Sequence, residues 1–233
     1  MAFKDGDFLE IEYTAWDAVN GNVLATTDEK VAKDADIYSK DAKYGPVLVV
    51  IGSNAVVKGL ESELRTMNTG ETKEFTLEPK DAFGERIEDL VKVMPIAQFR
   101  AQKIDPRPGM RLNIDNVAAT VVSVGSGRVV VDANHPDAGK RIKYQVKVVS
   151  KLGTETEMIE ALGKTYDVLP TKIAVNGNEA EIFYDGSVKK DADYFVNRAS
   201  LIAAVFTYVK QLGKVYVREE YNKSEGNEKR QEE

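Results

Sequence analysis

Strict alternation of apolar and polar side chains at two widely separated places constrains this chain more than any other feature. Near the N-terminus Leu9, Ile11 and Tyr13 fall on one face and Glu10, Glu12 and Thr14 on the other. Far downstream, Ile142, Tyr144, Val146 and Val148 alternate with Arg141, Lys143, Gln145 and Lys147. A period of two places each apolar set on one side of a strand, so both segments read as half-buried sheet. Asn20-Gly21 is a type I′ hairpin signal, which predicts a turn and a return strand through Val23 and Leu24. Gly45-Pro46 opens the β-branched run Val47 to Ile51, a further strand closed by Gly52. Val57, Leu60, Leu64 and Met67 then recur at helical spacing and predict one short amphipathic helix whose apolar stripe lies on the sheet. Phe75 and Leu77 alternate with Glu74 and Thr76 in another strand before Pro79, and the polar stretch 28–43 reads as a surface loop or short helix.

Around residue 87 the texture changes. Pro95, Pro106 and Pro108 punctuate a segment with a short turn or helix at 95–101 and three strand-like pieces at 110–114, 117–124 and 128–131. This reads as an inserted subdomain, followed by the turn-rich loop Ala133 to Gly139 and by the strand that resumes the first pattern. From Leu152 a third unit is expected: a helix at 155–162, strands at 172–175 and 180–184, a long helix at 192–212 and a strand at 214–218. The long helix carries Phe195, Ala199, Ile202, Phe206 and Val209 on a stripe that Leu201, Val205, Tyr208 and Leu212 widen, so burial on more than one side is expected. Residues 223–233 have almost no apolar content and read as a disordered tail.

Composition removes whole classes of chemistry. With no cysteine there is no disulfide, thiolate metal site or cysteine nucleophile, and a single histidine is too few for a histidine-based metal centre. No metal and no cofactor is therefore expected. Nucleotide-binding glycine loops, the zinc-protease helix motif and the serine-hydrolase elbow do not occur. The 32 basic against 38 acidic residues leave a net charge of −6, interleaved along the chain, which disfavours nucleic acid as a partner. The first residues carry charge without an apolar targeting core, and no stretch approaches the roughly 18 apolar residues of a membrane span, so no membrane partner and a cytoplasmic location are expected. Gly125-Ser126-Gly127 reads as a hairpin turn, and acidic pairs such as Glu61 with Glu63 read as solvated faces.

What remains is a cluster of aromatic and aliphatic residues gathered by the sheet and its helix. Asn20 to Thr27, Gly45 to Gly52, Val56 to Glu61, Asp81-Ala82-Phe83-Gly84 and Asn134 to Lys140 stand in the order and spacing of one family. In these motifs the chain resembles the FKBP-type peptidyl-prolyl cis-trans isomerases (rotamases), in the form with an insert in the flap found in SlyD-like proteins and long archaeal FKBPs. The match covers residues 1 to 150, and the C-terminal unit resembles, on weaker motifs, the extra domain of the long archaeal members. The resemblance implies an α+β fold: an antiparallel sheet wrapped on a short helix (1–86 and 131–150), a β-rich insert-in-flap chaperone domain (87–130) and a C-terminal α/β domain (151–222). It also implies a proline pocket, with Tyr13, Val57 and Phe83 as catalytic residues and Leu24, Ala25, Val47, Val56, Leu60 and Tyr144 as substrate-binding residues. Each of these also sits on the core face its strand or helix would have anyway. The backbone N–H of Val57 would hold a substrate carbonyl.

Isomerising an X-Pro bond means twisting an amide whose partial double-bond character sets a barrier of about 18–20 kcal/mol. A dry pocket that prefers the twisted, less charge-separated bond lowers that barrier with neither cofactor nor proton transfer. The chain departs from the family pattern in places. Ala25 stands where an aspartate is common, and Phe83 where a tyrosine donates a hydrogen bond worth about 0.5–1.5 kcal/mol. Leu60 replaces a frequent tryptophan, as in SlyD-like proteins, and Tyr144 a frequent phenylalanine. His135 reads as a turn residue near the pocket rim rather than a base, and Trp16 as packing at the end of the first strand.

The insert holds more apolar side chains than about 44 residues of small lobe can bury, among them Val91, Val93, Met94, Ile96, Phe99, Met110, Leu112, Ile114, Val117 and Val121. Exposed apolar patches mark interaction sites, and by resemblance this one binds unfolded or proline-containing polypeptides. The plainer reading is a compact three-stranded lobe that shields the pocket. The expected function is a peptidyl-prolyl isomerase with chaperone activity; the alternative is a holding chaperone with weak or lost isomerase activity. A homodimer through the C-terminal domain, with the long helix as its interface, is a third reading.

Overall fold

The structure, a computed structural model, describes residues 3–114, 117–186 and 191–221. The first strand, β1 (Phe8–Asp17), is longer than the alternation alone indicates. It turns at Ala18 to Asn22 into β2 (Val23–Thr26). The turn is wider than the two residues of a type I′ hairpin, because Asp17 and Asn20 side chains accept the N–H groups of Val19 and Asn22 and set local turns of their own. The polar stretch contains a short helix, α1 (Glu29–Asp34), capped by Asp28. Then follow β3 (Val47–Val50), α2 (Lys58–Thr66) and β4 (Thr72–Leu77). Gly59 holds α2 against its neighbours: a Cβ there would stand 2.7 Å from both the Asp81 carbonyl oxygen and the Leu77 side chain.

The next segment forms a sheet of its own with four strands, one more than the sequence indicates. These are β5 (Val91–Pro95), β6 (Arg111–Ile114), β7 (Val117–Gly125) and β8 (Arg128–Asp132), in the order β5-β8-β7-β6, with α3 (Ile96–Ala101) after the first of them. Its small core consists of Phe99, Ala119, Val121, Val129 and Val131. Phe99, expected on the exposed chaperone surface, is thus buried, because α3 folds it under the sheet; Val121 is buried too, and a bulge after it turns Val122 outward.

The chain returns as β9 (Ile142–Lys151), which runs antiparallel between β1 and β4 and completes a five-stranded sheet. Leu9, Ile11, Ala15, Ile142, Tyr144, Val146 and Val148 meet Leu60, Leu64 and Met67 of the α2 region in one core.

The last unit has α4 (Glu155–Thr165), β10 (Lys172–Asn176), β11 (Glu179–Asp185), α5 (Ala192–Tyr208) and β12 (Lys214–Glu220). Its sheet pairs β10 antiparallel and β12 parallel to β11. A full capping box between Thr154 and Glu157 starts α4. The helix expected to reach residue 212 ends at Tyr208; Val209 and Leu212 remain core residues in the turn that follows. This unit also covers the first sheet. Phe8, Val50 and Leu48, on the face opposite Leu9 and Ile11, pack into the core of Ile159, Leu162, Ile182 and Leu201. On α5, Phe195, Val196 and Phe206 face solvent. Among the described residues no helix is long and apolar enough to cross a membrane, and the expected tail 223–233 lies outside them.

Candidate functional site

Between the first sheet and the start of α2 lies a hollow of about 210 Å³. Only its sheet wall follows from alternation. Tyr13 on β1 and Tyr144 on β9 project from the core face, and Leu24 and Ala25 of β2 close one side. Val56, Val57 and Leu60 come from the entry into α2, and Phe83 from the segment after the 3₁₀ turn Pro79–Asp81. Eight of the nine residues expected to form a proline pocket therefore line one hollow. The ninth, Val47, does not: it pairs with Ile11 across β3 and packs against the core beside the hollow.

Four further residues line it. Ala15 and Ile142 are in phase with Tyr13 and Tyr144, so the same period of two would have found them. Ala55 adjoins Val56. Asp137 comes from the loop before β9, where no periodicity points to it; its carboxylate pairs with Lys140 at 2.7 Å.

The rim is braced from two sides. The Gly139 N–H donates to the Gly84 carbonyl at 2.8 Å, and the His135 ring stacks on Phe83. At the opposite side Val57 precedes the first turn of α2 in extended conformation, and no side chain caps this helix end. The Val57 N–H donates to no backbone acceptor among the described residues, which leaves an unclaimed donor at the helix's positive end.

The floor is aromatic. The Tyr144 ring stacks with Phe75 at 5.7 Å between centroids and tilts against Tyr13 at 6.2 Å. Burial pushes the Tyr144 phenol up to about 12, with contributions from the neighbouring Tyr13 and Asp137. Burial also raises Tyr13. Both phenols hold their protons at neutral pH, so they serve the hollow as hydrogen-bond donors and not as bases. Among the described residues no group of three metal-ligating side chains occurs.

The charged face of the same sheet carries an open groove of about 580 Å³ where Glu12, Thr14, Gln145 and Lys147 project. Most of its lining is polar, with Tyr13 and Tyr44 the aromatic residues in it. The insert bears two smaller apolar depressions that share Met94 and Ile114. One, of about 470 Å³, runs along α3 past Ile104 and Leu112; the other, of about 130 Å³, lies between Leu90, Val117 and Val131. Of the expected chaperone residues, Val93 is 61% exposed and Met110 is exposed, whereas Val91, Met94, Ile96 and Leu112 are half-buried.

Comparison with known proteins agrees with this geometry. The profile of the FKBP-type peptidyl-prolyl cis-trans isomerases matches residues 1–101, and the profile described as FKBP26, IF domain matches residues 92–137. A short-type peptidyl-prolyl cis-trans isomerase of Methanocaldococcus jannaschii is 31% identical over 154 residues, which is 66% of this chain and 97% of that relative. The FKBP-type isomerase SlyD of Vibrio cholerae is 33% identical over 132 residues, covering 54% of this chain and 65% of the relative. The SlyD of Aeromonas hydrophila is 31% identical over 142 residues, or 60% of each chain.

Proposed function

This chain belongs to the FKBP-type peptidyl-prolyl cis-trans isomerases and is an isomerase of that class, and we propose that it couples isomerisation to the holding of unfolded chains. In this reading the hollow takes the prolyl ring. The observation that carries it is the convergence of Tyr13, Leu24, Val57, Leu60, Phe83 and Tyr144 on one apolar space of about 210 Å³. Planar amides owe their resonance to charge separation, which water supports and an apolar hollow does not, so the hollow binds the twisted bond better than the planar one. The free Val57 N–H fixes the adjoining substrate backbone, and no proton moves.

The insert's role in the proposal rests on its apolar exposure: Val93, Met110 and Val117 are open to solvent, and the depressions around Met94 lie beside them. A chain held there meets the hollow at raised effective concentration. Ala25 and Phe83, which put neither carboxylate nor hydroxyl into the hollow, favour the competing reading of a holding chaperone with weak catalysis. Proline-limited refolding separates the two. Sub-stoichiometric full chain should accelerate refolding, and a variant with residues 87–130 replaced by a short turn should lose most of that gain while still isomerising a short X-Pro peptide. Suppressed aggregation with no gain in rate supports the competing reading. A homodimer through the C-terminal unit stays part of the proposal, supported by the solvent-facing Phe195, Val196 and Phe206 of α5; an unchanged monomer mass on truncation at residue 150 excludes it.

A further inference from the structure

One phenol that lines the hollow, on a nearly buried residue, has no partner in its own chain. Tyr144 is only 4% exposed, yet its hydroxyl makes no hydrogen bond to any described residue and is not among the hydroxyls sealed from solvent, so it opens into the hollow. A hydroxyl that no group of the protein claims and that opens into the hollow is available to donate to whatever enters it. The ring cannot turn away: Phe75 stacks on one side, Tyr13 leans on the other, and β9 is held between β1 and β4. Such a fixed donor requires no reorganisation when charge or a lone pair develops in front of it.

What it meets depends on depth. The Val57 N–H sits at the entry to α2 and reaches the substrate backbone, whereas a donor on the floor reaches the inserted ring. A prolyl ring has one polar atom, its nitrogen. In the planar amide the nitrogen lone pair is delocalised into the carbonyl and accepts nothing; in the twisted amide it is localised and accepts a hydrogen bond. We propose that the Tyr144 hydroxyl is a catalytic donor that hydrogen-bonds the prolyl nitrogen of the twisted X-Pro bond, an interaction absent from the ground state. The hydroxyl keeps its proton throughout, and the hydrogen bond is released as the amide flattens. Donation to the carbonyl oxygen would act the other way, because that oxygen carries more charge when the amide is planar. The inference rests on the hollow being the prolyl site.

The test is Tyr144→Phe in the full chain, read on an X-Pro tetrapeptide by exchange NMR for rate and by titration for affinity, with urea unfolding alongside. A bond made only in the transition state predicts a kcat lowered roughly two- to tenfold, peptide affinity within twofold of wild type, and unchanged or higher stability, since the lost hydroxyl had no protein partner. 3-Fluorotyrosine at position 144, a stronger donor of nearly the same size, should restore kcat to at least the wild-type level. An unchanged kcat in Tyr144→Phe, a loss confined to affinity, or a fluorotyrosine protein no faster than the Phe variant overturns the proposal. If instead the peptide leaves the Val57 and Phe83 resonances of the wild-type protein unmoved, the prolyl assignment of the hollow fails before the Tyr144 question is reached.

Discussion

The imidazole of His135 lies flat on the phenyl ring of Phe83, with centroids 4.3 Å apart and planes 3° from parallel. The same imidazole accepts the Asp137 backbone N–H at Nδ1, 3.1 Å away, so that nitrogen is occupied as an acceptor within its own loop. The histidine is a brace for one wall of the hollow and for the loop that brings Asp137 to the rim, rather than a base.

His135→Ala should therefore weaken substrate binding without touching the chemical step. An aromatic pair contributes about 0.5–1.5 kcal/mol beyond the area it covers. The expected result is a KM for short X-Pro peptides raised roughly two- to tenfold with kcat within twofold, measured by steady-state isomerisation. A kcat reduced a hundredfold would give the imidazole a chemical role instead.

Alkaline stability follows from the buried phenols. The Tyr144 phenol is pushed up to about 12 by burial, and burial raises Tyr13 and Tyr184 as well. In the unfolded chain these phenols ionise from about pH 10. Between about pH 10 and 12 the unfolded state then holds fewer protons than the folded one, so stability falls as pH rises, by up to about 1.4 kcal/mol per pH unit for Tyr144 alone. Below pH 10 this contribution is flat. Urea unfolding from pH 8 to 11 should show the alkaline fall, less steep in Tyr144→Phe; identical slopes in both proteins would contradict it.

Asn134 fastens the insert to the first sheet. Its side chain accepts the Ile87 N–H and donates to the Ile87 carbonyl, both at 2.9 Å, and also donates to Asp132, which pairs with Arg86 at 2.6 Å. One amide thus ties together the two crossing strands of chain that leave and re-enter the sheet. Asn134→Ala should loosen the insert relative to the hollow, lowering catalysis of proline-limited refolding several-fold while leaving short-peptide isomerisation within twofold. Equal losses on both substrates would place the effect in the hollow itself.

The sheet was legible in the sequence from its periodicity, and the hollow from the motifs that resemble the isomerase family. Leu9, Ile11, Tyr13 and Ile142, Tyr144, Val146 alternate strictly, and Val57, Leu60, Leu64 and Met67 keep helical spacing, so face and phase follow from the spacing of apolar residues. Where periodicity fails, so does the reading. Asp137 lies in a loop, where side-chain direction is set by turns rather than by phase. Strand β5 is short and ends at Pro95, so five residues carried too little pattern to stand out. The apolar rhythm of α5 continues through Val209 and Leu212 after the helix has ended, because the turn stays buried. Exposure in the insert was also overcounted, since a count of apolar residues does not reveal that α3 tucks Phe99 inside.

The two faces of the N-terminal end of β1 give the last prediction. Leu9 belongs to the core over α2, but its neighbour Phe8 points the opposite way and is fully buried, with Val50, under the C-terminal unit. Adjacent strand residues always face opposite sides, so this end of the sheet is apolar on both and needs a cover on both. Removing residues 152–233 would expose Phe8, Leu48 and Val50 together, a contiguous apolar patch of the kind that drives association. The truncated protein should be less stable than the corresponding part of the full chain and should aggregate on heating. Phe8→Ala in the full chain should cost about 3–5 kcal/mol, the usual penalty for emptying a buried phenylalanine site. Adding Phe8→Thr and Val50→Thr to the truncated protein should restore its solubility, because those side chains then face water. Light scattering during a thermal ramp checks both truncated proteins; a truncation that stays monomeric and as stable as the full chain without these substitutions would show that the C-terminal unit is not the cover its packing implies.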